Sequence, residues 1–122
     1  MAERISGAEH EIMEVLWQEA PLTAAEVAER VPASRTWSIR TVKTLLSRLL
    51  AKGALTHEEE GRHYLYRPAV AREDYVAEES RRQLDRLFGG SVTPLVAHLA
   101  ESDSLSDRDI AEIEALLKAL KQ

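Results

Sequence analysis

The sequence contains no cysteine, which excludes a disulfide framework, a thiolate metal site and a cysteine nucleophile. No apolar run approaches the ~20 residues that a membrane-crossing helix requires. The opening stretch MAERISGAEHE has no apolar signal segment, so the expectation is a cytoplasmic protein without membrane insertion. No glycine-rich phosphate loop, paired-carboxylate site or Ser/His/Asp arrangement stands out. Acidic side chains fall at caps and on solvated helix faces, so neither an enzyme nor a cofactor is expected. The most informative scarcity is local. Between Arg35 and His57 there is no Asp or Glu, while Arg35, Arg40, Lys43, Arg48 and Lys52 all lie in that interval. In a chain of net charge −5 this is a run of five uncompensated cations.

What is present is a chain of 122 residues, 44% apolar and 30% charged, the balance of a soluble globular protein with one domain or two small ones. Residues 1–67 carry nine basic and ten acidic side chains, and residues 68–122 carry seven and eleven. A polyanionic partner is therefore expected to meet the first part.

The stretch Ser38 to Gly53, SIRTVKTLLSRLLAKG, organises that part. At 100° per residue Ile39, Val42, Leu45, Leu46, Leu49 and Leu50 fall within roughly 140°, and Arg40, Thr41, Lys43, Thr44, Ser47 and Arg48 fill the opposite arc of about 160°. Ser38 suits an N-cap, Trp37 a hydrophobic staple over Val42, Gly53 a left-handed stop, and Lys52 the negative end of the helix dipole. Cations interleaved with short hydroxyls suit phosphates and base edges: Arg forks onto guanine or phosphate, and Thr or Ser donates or touches a thymine methyl.

Ahead of it, Ser6 and Glu9 form a capping box for a helix to about Glu19, with a stripe of Ile12, Val15 and Leu16 edged by Met13 and Trp17. Ala20-Pro21 interrupts. Thr23 and Glu26 make a second capping box for a short helix ending near Val31, with Val27, Ala28 and Val31 as its buried contacts. Three helices with tight connections, the third basic, are the plan of a helix-turn-helix. After Gly53 the period falls to 2. Leu55–Glu58 and His63–Arg67 read as strands around Glu60-Gly61, with Tyr64 and Tyr66 on one face: a wing. Arg62 at its tip suits a phosphate, while Glu58, Glu59 and Glu60 repel the DNA backbone, so the wing is expected to supply structure more than affinity. His57 and His63 face each other across a three-residue loop or lie on opposite faces with a two-residue one. No third ligand accompanies them, and no metal site is expected. His10 and His98 sit on helices as partly buried or solvated residues.

Pro68 ends the hairpin. Ala71 to Phe88 read as a charged helix with Tyr75, Val76, Leu84, Leu87 and Phe88 as apolar members, stopped by Gly89-Gly90. A shorter helix from about Val92 to Ala100 contains Leu95 and Leu99 and tolerates Pro94 in its first turn. The last, Ser106 to Lys121, opens on a Ser106/Asp109 capping box with Leu105 positioned to staple Ile110, and its stripe is Ile110, Ile113, Leu116, Leu117 and Leu120. About fifty residues in three amphipathic helices bury little by themselves. A second copy solves this, and two-fold pairing places two recognition helices one DNA turn apart, roughly 34 Å. The alternative is that these stripes fold back onto the winged helix of the same chain.

The runs Thr36-Trp37-Ser38, Thr41 to Leu49, Lys52-Gly53-Ala54-Leu55 and Glu60-Gly61-Arg62 before Tyr64 and Tyr66, with Ile12 to Trp17 in front and Leu105-Ser106 near the end, resemble the penicillinase-repressor family. That family includes repressors of β-lactamase and methicillin-resistance genes and copper-responsive repressors. The resemblance implies a winged-helix homodimer that binds a palindromic operator and blocks transcription, with base and backbone contacts on Arg40, Thr41, Lys43 and Thr44. Ser47 and Arg48 on the same face and Arg62 on the wing complete the expected DNA-binding set. The expected architecture is mainly α with a small β-hairpin wing. A winged helix-turn-helix DNA-binding domain (1–69) precedes a C-terminal helical dimerisation domain (70–122). A regulatory protease or sensor is the further partner the resemblance suggests. In the β-lactam branch the cut falls between Asn and Phe, and the matching residues here are His98 and Leu99. In the copper branch the sensor is a cysteine-rich tail, which this sequence lacks. The second functional reading is a winged-helix protein-interaction module without specific DNA binding, docking through its acidic wing and C-terminal part.

Overall fold

The computed structural model describes residues 4–122. The elements in order are α1 (Gly7–Gln18), α2 (Ala24–Arg30), α3 (Ile39–Ala51), β1 (Leu55–Glu60), β2 (His63–Pro68), α4 (Arg72–Phe88), α5 (Val92–Glu101) and α6 (Asp107–Leu120). They form two compact units, one ending at Tyr75 and one from Val76 to Gln122.

In the first unit the caps act as the sequence predicts. Ser6 Oγ accepts from Glu9 N–H at 3.1 Å while Glu9 Oε1 accepts from Ser6 N–H at 2.8 Å, and Thr23 and Glu26 repeat the exchange at 3.2 and 2.9 Å. Each box satisfies two donors that a helix start leaves unpaired. α3 packs on both α1 and α2, and β2 touches each of those helices. Val42, Leu45, Leu46 and Leu49 of α3 are buried with Ile12, Met13, Leu16 and Val27. The β-branched residues of α3 cost up to ~0.7 kcal/mol each in helix propensity. Burial returns roughly 1.5–3 kcal/mol for each large apolar side chain, so packing decides the conformation.

Several details depart from the sequence reading. Met13, expected at the edge of the α1 stripe, is at its centre, and Val15 is half-buried. Ile39, placed by periodicity on the apolar arc, is the first residue of the helix and is 48% exposed. β1 runs two residues further than expected and pairs Glu60 with His63 across a two-residue turn, Gly61-Arg62. Gly61 takes φ +63°, as the first central position of a type II′ turn requires. That register puts His57 opposite Tyr66 and sets His57 and His63 on opposite faces. Leu22 adds a third backbone partner to the wing: its N–H donates to Tyr66 O at 3.3 Å and Tyr66 N–H donates back at 2.8 Å.

The first unit also extends past the 69/70 division. Trp17 Nε1–H donates to Val70 O at 2.9 Å, Arg72 grips Glu14 with two hydrogen bonds of 2.7 and 3.1 Å, and the Tyr75 ring lies 5.5 Å from Trp17 and 5.6 Å from His10. The first turn of α4 is thus anchored to α1.

The second unit contains the rest of α4 with α5 and α6. Gly89 and Gly90 end α4 with φ +59° and +81°. Ser106 Oγ accepts from Asp109 N–H at 3.0 Å and its own N–H donates to Asp109 Oδ2 at 3.1 Å, so the capping box with Asp in place of Glu forms. No residue of α4, α5 or α6 is buried.

Candidate nucleic-acid interface

α3 begins at Ser38, whose Oγ accepts from Thr41 N–H at 3.1 Å. It ends in a tight αL stop: Gly53 takes φ +78°, Ala54 N–H donates to Leu49 O at 3.0 Å and Gly53 N–H to Leu50 O at 3.1 Å. Between these ends the helix is sharply two-sided. Val42, Leu46 and Leu49 are completely buried, while Arg40, Thr41, Lys43, Thr44, Ser47 and Arg48 are all exposed.

The five cations of this stretch do not stay equivalent. Arg35 forms an ion pair with Glu11 and stacks its guanidinium 5.0 Å from the centre of the Trp37 ring. Lys52 donates to Glu9 Oε1 at 2.5 Å and to Arg4 O at 3.0 Å. Arg40, Lys43 and Arg48 make no ion pair among the described residues. The expected patch of five is therefore three free charges on one exposed face. Lys52, expected to complement the helix dipole, anchors the C-terminal end of α3 to α1.

The hydroxyls divide too. Thr41 Oγ1 lies 3.2 Å from Ser38 Oγ, and Thr44 Oγ1 donates to Arg40 O at 3.1 Å. With its proton committed to the helix, Thr44 presents lone pairs and a methyl group, suited to an amino donor or a thymine methyl.

The N-terminus of α3 is electrostatically open. α1, α2, α4 and α6 carry an acid in their first turn, and α3 and α5 carry none. A first-turn acid stabilises a helix by roughly 0.3–1 kcal/mol. Its absence leaves the positive end of the dipole to an external anion such as phosphate.

Of the wing's two cations, Arg67 is paired with Glu58 and Arg62 makes no ion pair among the described residues. Arg62 stands exposed at the turn, while Glu58 accepts from Arg67 at 3.2 Å and Glu59 from Tyr64 at 3.4 Å. Tyr64 and Tyr66 share a face with His57, whose ring lies 4.5 Å from Tyr64 and 5.8 Å from Tyr66. Burial, with a smaller contribution from Tyr64, pushes the Tyr66 hydroxyl above its ordinary value. Among the described residues no three His, Asp or Glu side chains are gathered as a metal site would need, and no helix is long and apolar enough to cross a membrane.

Of the residues expected at a dimer seam, Tyr75 packs instead with His10 and Trp17 of the first unit. Leu84, Phe88, Leu95, Leu99 and Ile113 are half-buried within the second unit. Leu87, Ile110, Leu116, Leu117 and Leu120 are exposed, Leu120 to 81%.

The family model described as penicillinase repressor matches residues 5–119. This chain belongs to the penicillinase repressor family. Within that family, the penicillinase repressor of Bacillus licheniformis is 36% identical over 118 residues, spanning 97% of this chain and 92% of that protein. The methicillin resistance regulatory protein MecI of Staphylococcus aureus (strain N315) is 27% identical over 113 residues, 93% of this chain and 92% of that one. In solved structures, the DNA-binding domain of the repressor BlaI aligns at 40% identity over 62% of this chain and 92% of that chain, with a TM-score of 0.55. The monomeric form of Bacillus licheniformis BlaI in complex with the blaP half-operator aligns at 40% identity over the same shares, with a TM-score of 0.52. Apo MarR from E. coli covers 95% of this chain and 77% of its own at 18% identity and a TM-score of 0.54, a likeness of fold.

Proposed function

We propose that this penicillinase repressor family member is a transcriptional repressor that binds a palindromic double-stranded operator as a homodimer. The first unit, to Tyr75, reads DNA, and α4–α6 supply the dimer contact. The observation that carries the DNA reading is the polarity of α3: the buried Val42, Leu45, Leu46 and Leu49 hold it to the body, and three cations without an ion pair among the described residues remain with intervening hydroxyls on the exposed side. The relatives named as repressors, and the BlaI complex with a half-operator, support it. Arg40, Thr41, Lys43 and Thr44 sit on the first turns, where a helix-turn-helix meets base edges. Ser47, Arg48 and Arg62 serve phosphates.

The homodimer is supported by the second unit. A cleft of about 730 Å³ between α4 and α5 is bordered by Leu84, Leu87, Phe88, Val92 and Leu95, and α6 leaves Leu116, Leu117 and Leu120 exposed. So much uncovered apolar surface on three helices is the mark of an interface.

Selecting bound fragments from random DNA and titrating the winner against salt tests the proposal. Six to ten phosphate contacts lower affinity by about 10³ to 10⁵ between 50 and 200 mM salt. A flat salt response instead favours the protein-interaction reading, for which the exposed Glu58, Glu59 and Glu60 are the specific support. For release of the operator we propose a regulatory protease acting in α5. The His98–Leu99 bond lies inside that helix, so its cleavage requires local opening. A fragment ending between Ala97 and Ala100 under inducing conditions supports the route, and an intact chain in fully induced cells removes it.

A further inference from the structure

Among the described residues up to Tyr75, the exposed large apolar side chains are Ile39 and Tyr64. Tyr64 is accounted for, by its ring contact with His57 and its hydroxyl on Glu59. Ile39 is not. It belongs neither to the buried core nor to the apolar residues packed against it, and it is 48% exposed. Helix propensity does not explain it, since a β-branched residue in the first helical turn loses rotamer freedom and caps nothing. Its surroundings are specific: the next residue is Arg40, and Lys43 lies one turn on, at i+4, on the adjoining strip of surface. Both are exposed cations without ion pairs among the described residues, and the helix N-terminus beside them lacks any first-turn acid.

We infer that Ile39 is a specificity-determining residue of the DNA-reading helix, closing its side chain over the 5-methyl group of a thymine while Arg40 and Lys43 hold the neighbouring polar edges and phosphates. This rests on the DNA-binding reading. N-terminal residues of a recognition helix face base edges, and in the major groove the thymine methyl is the apolar group that an aliphatic side chain can recognise. The α3 surface then reads by two chemistries, a charged fork and an apolar contact.

The test removes only the methyl group. With the full chain and its selected operator, each thymine is replaced in turn by deoxyuridine, and binding is measured for the wild type, Ile39→Val and Ile39→Ala. One thymine per half-site should cost the wild type about four-fold on losing its methyl, the factor that one buried methyl supplies. Ile39→Val should keep part of that discrimination, and Ile39→Ala should bind both duplexes alike. Because Ile39 is outside the core, Ile39→Ala should unfold at the wild-type denaturant midpoint. If every demethylation costs the wild type and Ile39→Ala equally, the inference is overturned while salt-dependent operator binding stands. Failure to select any duplex overturns both.

Discussion

Lys52 Nζ meets Glu9 Oε1 at 2.5 Å, 43 residues apart in sequence, and so fastens the end of α3 to the start of α1. The same oxygen accepts from Ser6 N–H at 2.8 Å, so one buried carboxylate both caps α1 and holds the DNA-facing helix. Glu9 is 1% exposed. Burial, the largest single influence, raises its pKa, but hydrogen bonds from Lys52 and Ser6 and the Lys52 charge together hold it below its ordinary 4.5.

Removing Lys52 should therefore cost more than removing the charge on Glu9. Lys52→Ala strands a buried carboxylate and should destabilise the first unit by about 3 kcal/mol in urea unfolding. Glu9→Gln keeps an acceptor for Ser6 and should cost about 1 kcal/mol. Because the folded-state pKa of Glu9 is depressed, its contribution is fully present above pH 4.5 and is lost as pH falls through the lowered value. The stability gap between wild type and Glu9→Gln should narrow on acidification below 4.5. A gap that widens in acid would contradict this account of the pair.

Gly53 stands in open space, yet its φ of +78° is unfavourable for a residue with a Cβ. Gly53→Ala should destabilise by about 1–2 kcal/mol with an unchanged denaturant slope. Gly53→Asn should lose less, since Asn tolerates the left-handed region. Equal losses for the two would show that space, and not backbone conformation, decides the position.

Arg40→Ala should weaken specific binding by about 1–3 kcal/mol and relax base preference at one operator position. Arg62→Ala, at the exposed wing tip, should weaken all sequences alike and reduce the slope of log affinity against log salt by about 1. Competition with random duplex measures both. Equal loss of Arg40→Ala on specific and random DNA assigns it to phosphate.

Leu116 is 67% exposed in the single chain. Leu116→Asp should leave the stability of the first unit within about 0.5 kcal/mol of wild type. Sedimentation should nonetheless show monomer, and operator affinity should fall because binding is coupled to pairing. A variant that stays dimeric with unchanged affinity excludes α6 from the seam.

Much of this protein was legible from neighbouring residues alone. Three capping boxes, the Gly53 and Gly89-Gly90 stops and the two-sided α3 follow from groups within about four residues of one another, where spacing dictates which atoms meet. The exposed face with Arg40, Lys43 and Arg48 was readable for the same reason.

Tertiary contacts decided what lies beyond that range. Leu22 pairs with Tyr66, Trp17 with Val70 and Arg72 with Glu14, extending the first unit to Tyr75. Periodicity assigns a residue to a side of a helix but not to the neighbour that covers it, so Ile39 shares the direction of the apolar arc and still stands in solvent. Charge follows the same division. The sequence determined five cations without a local acid; only folding brought Glu11 to Arg35 and Glu9 to Lys52 and left three without an ion pair among the described residues. Ionic attraction acts through space, and the chain separation of those partners carries no trace of it.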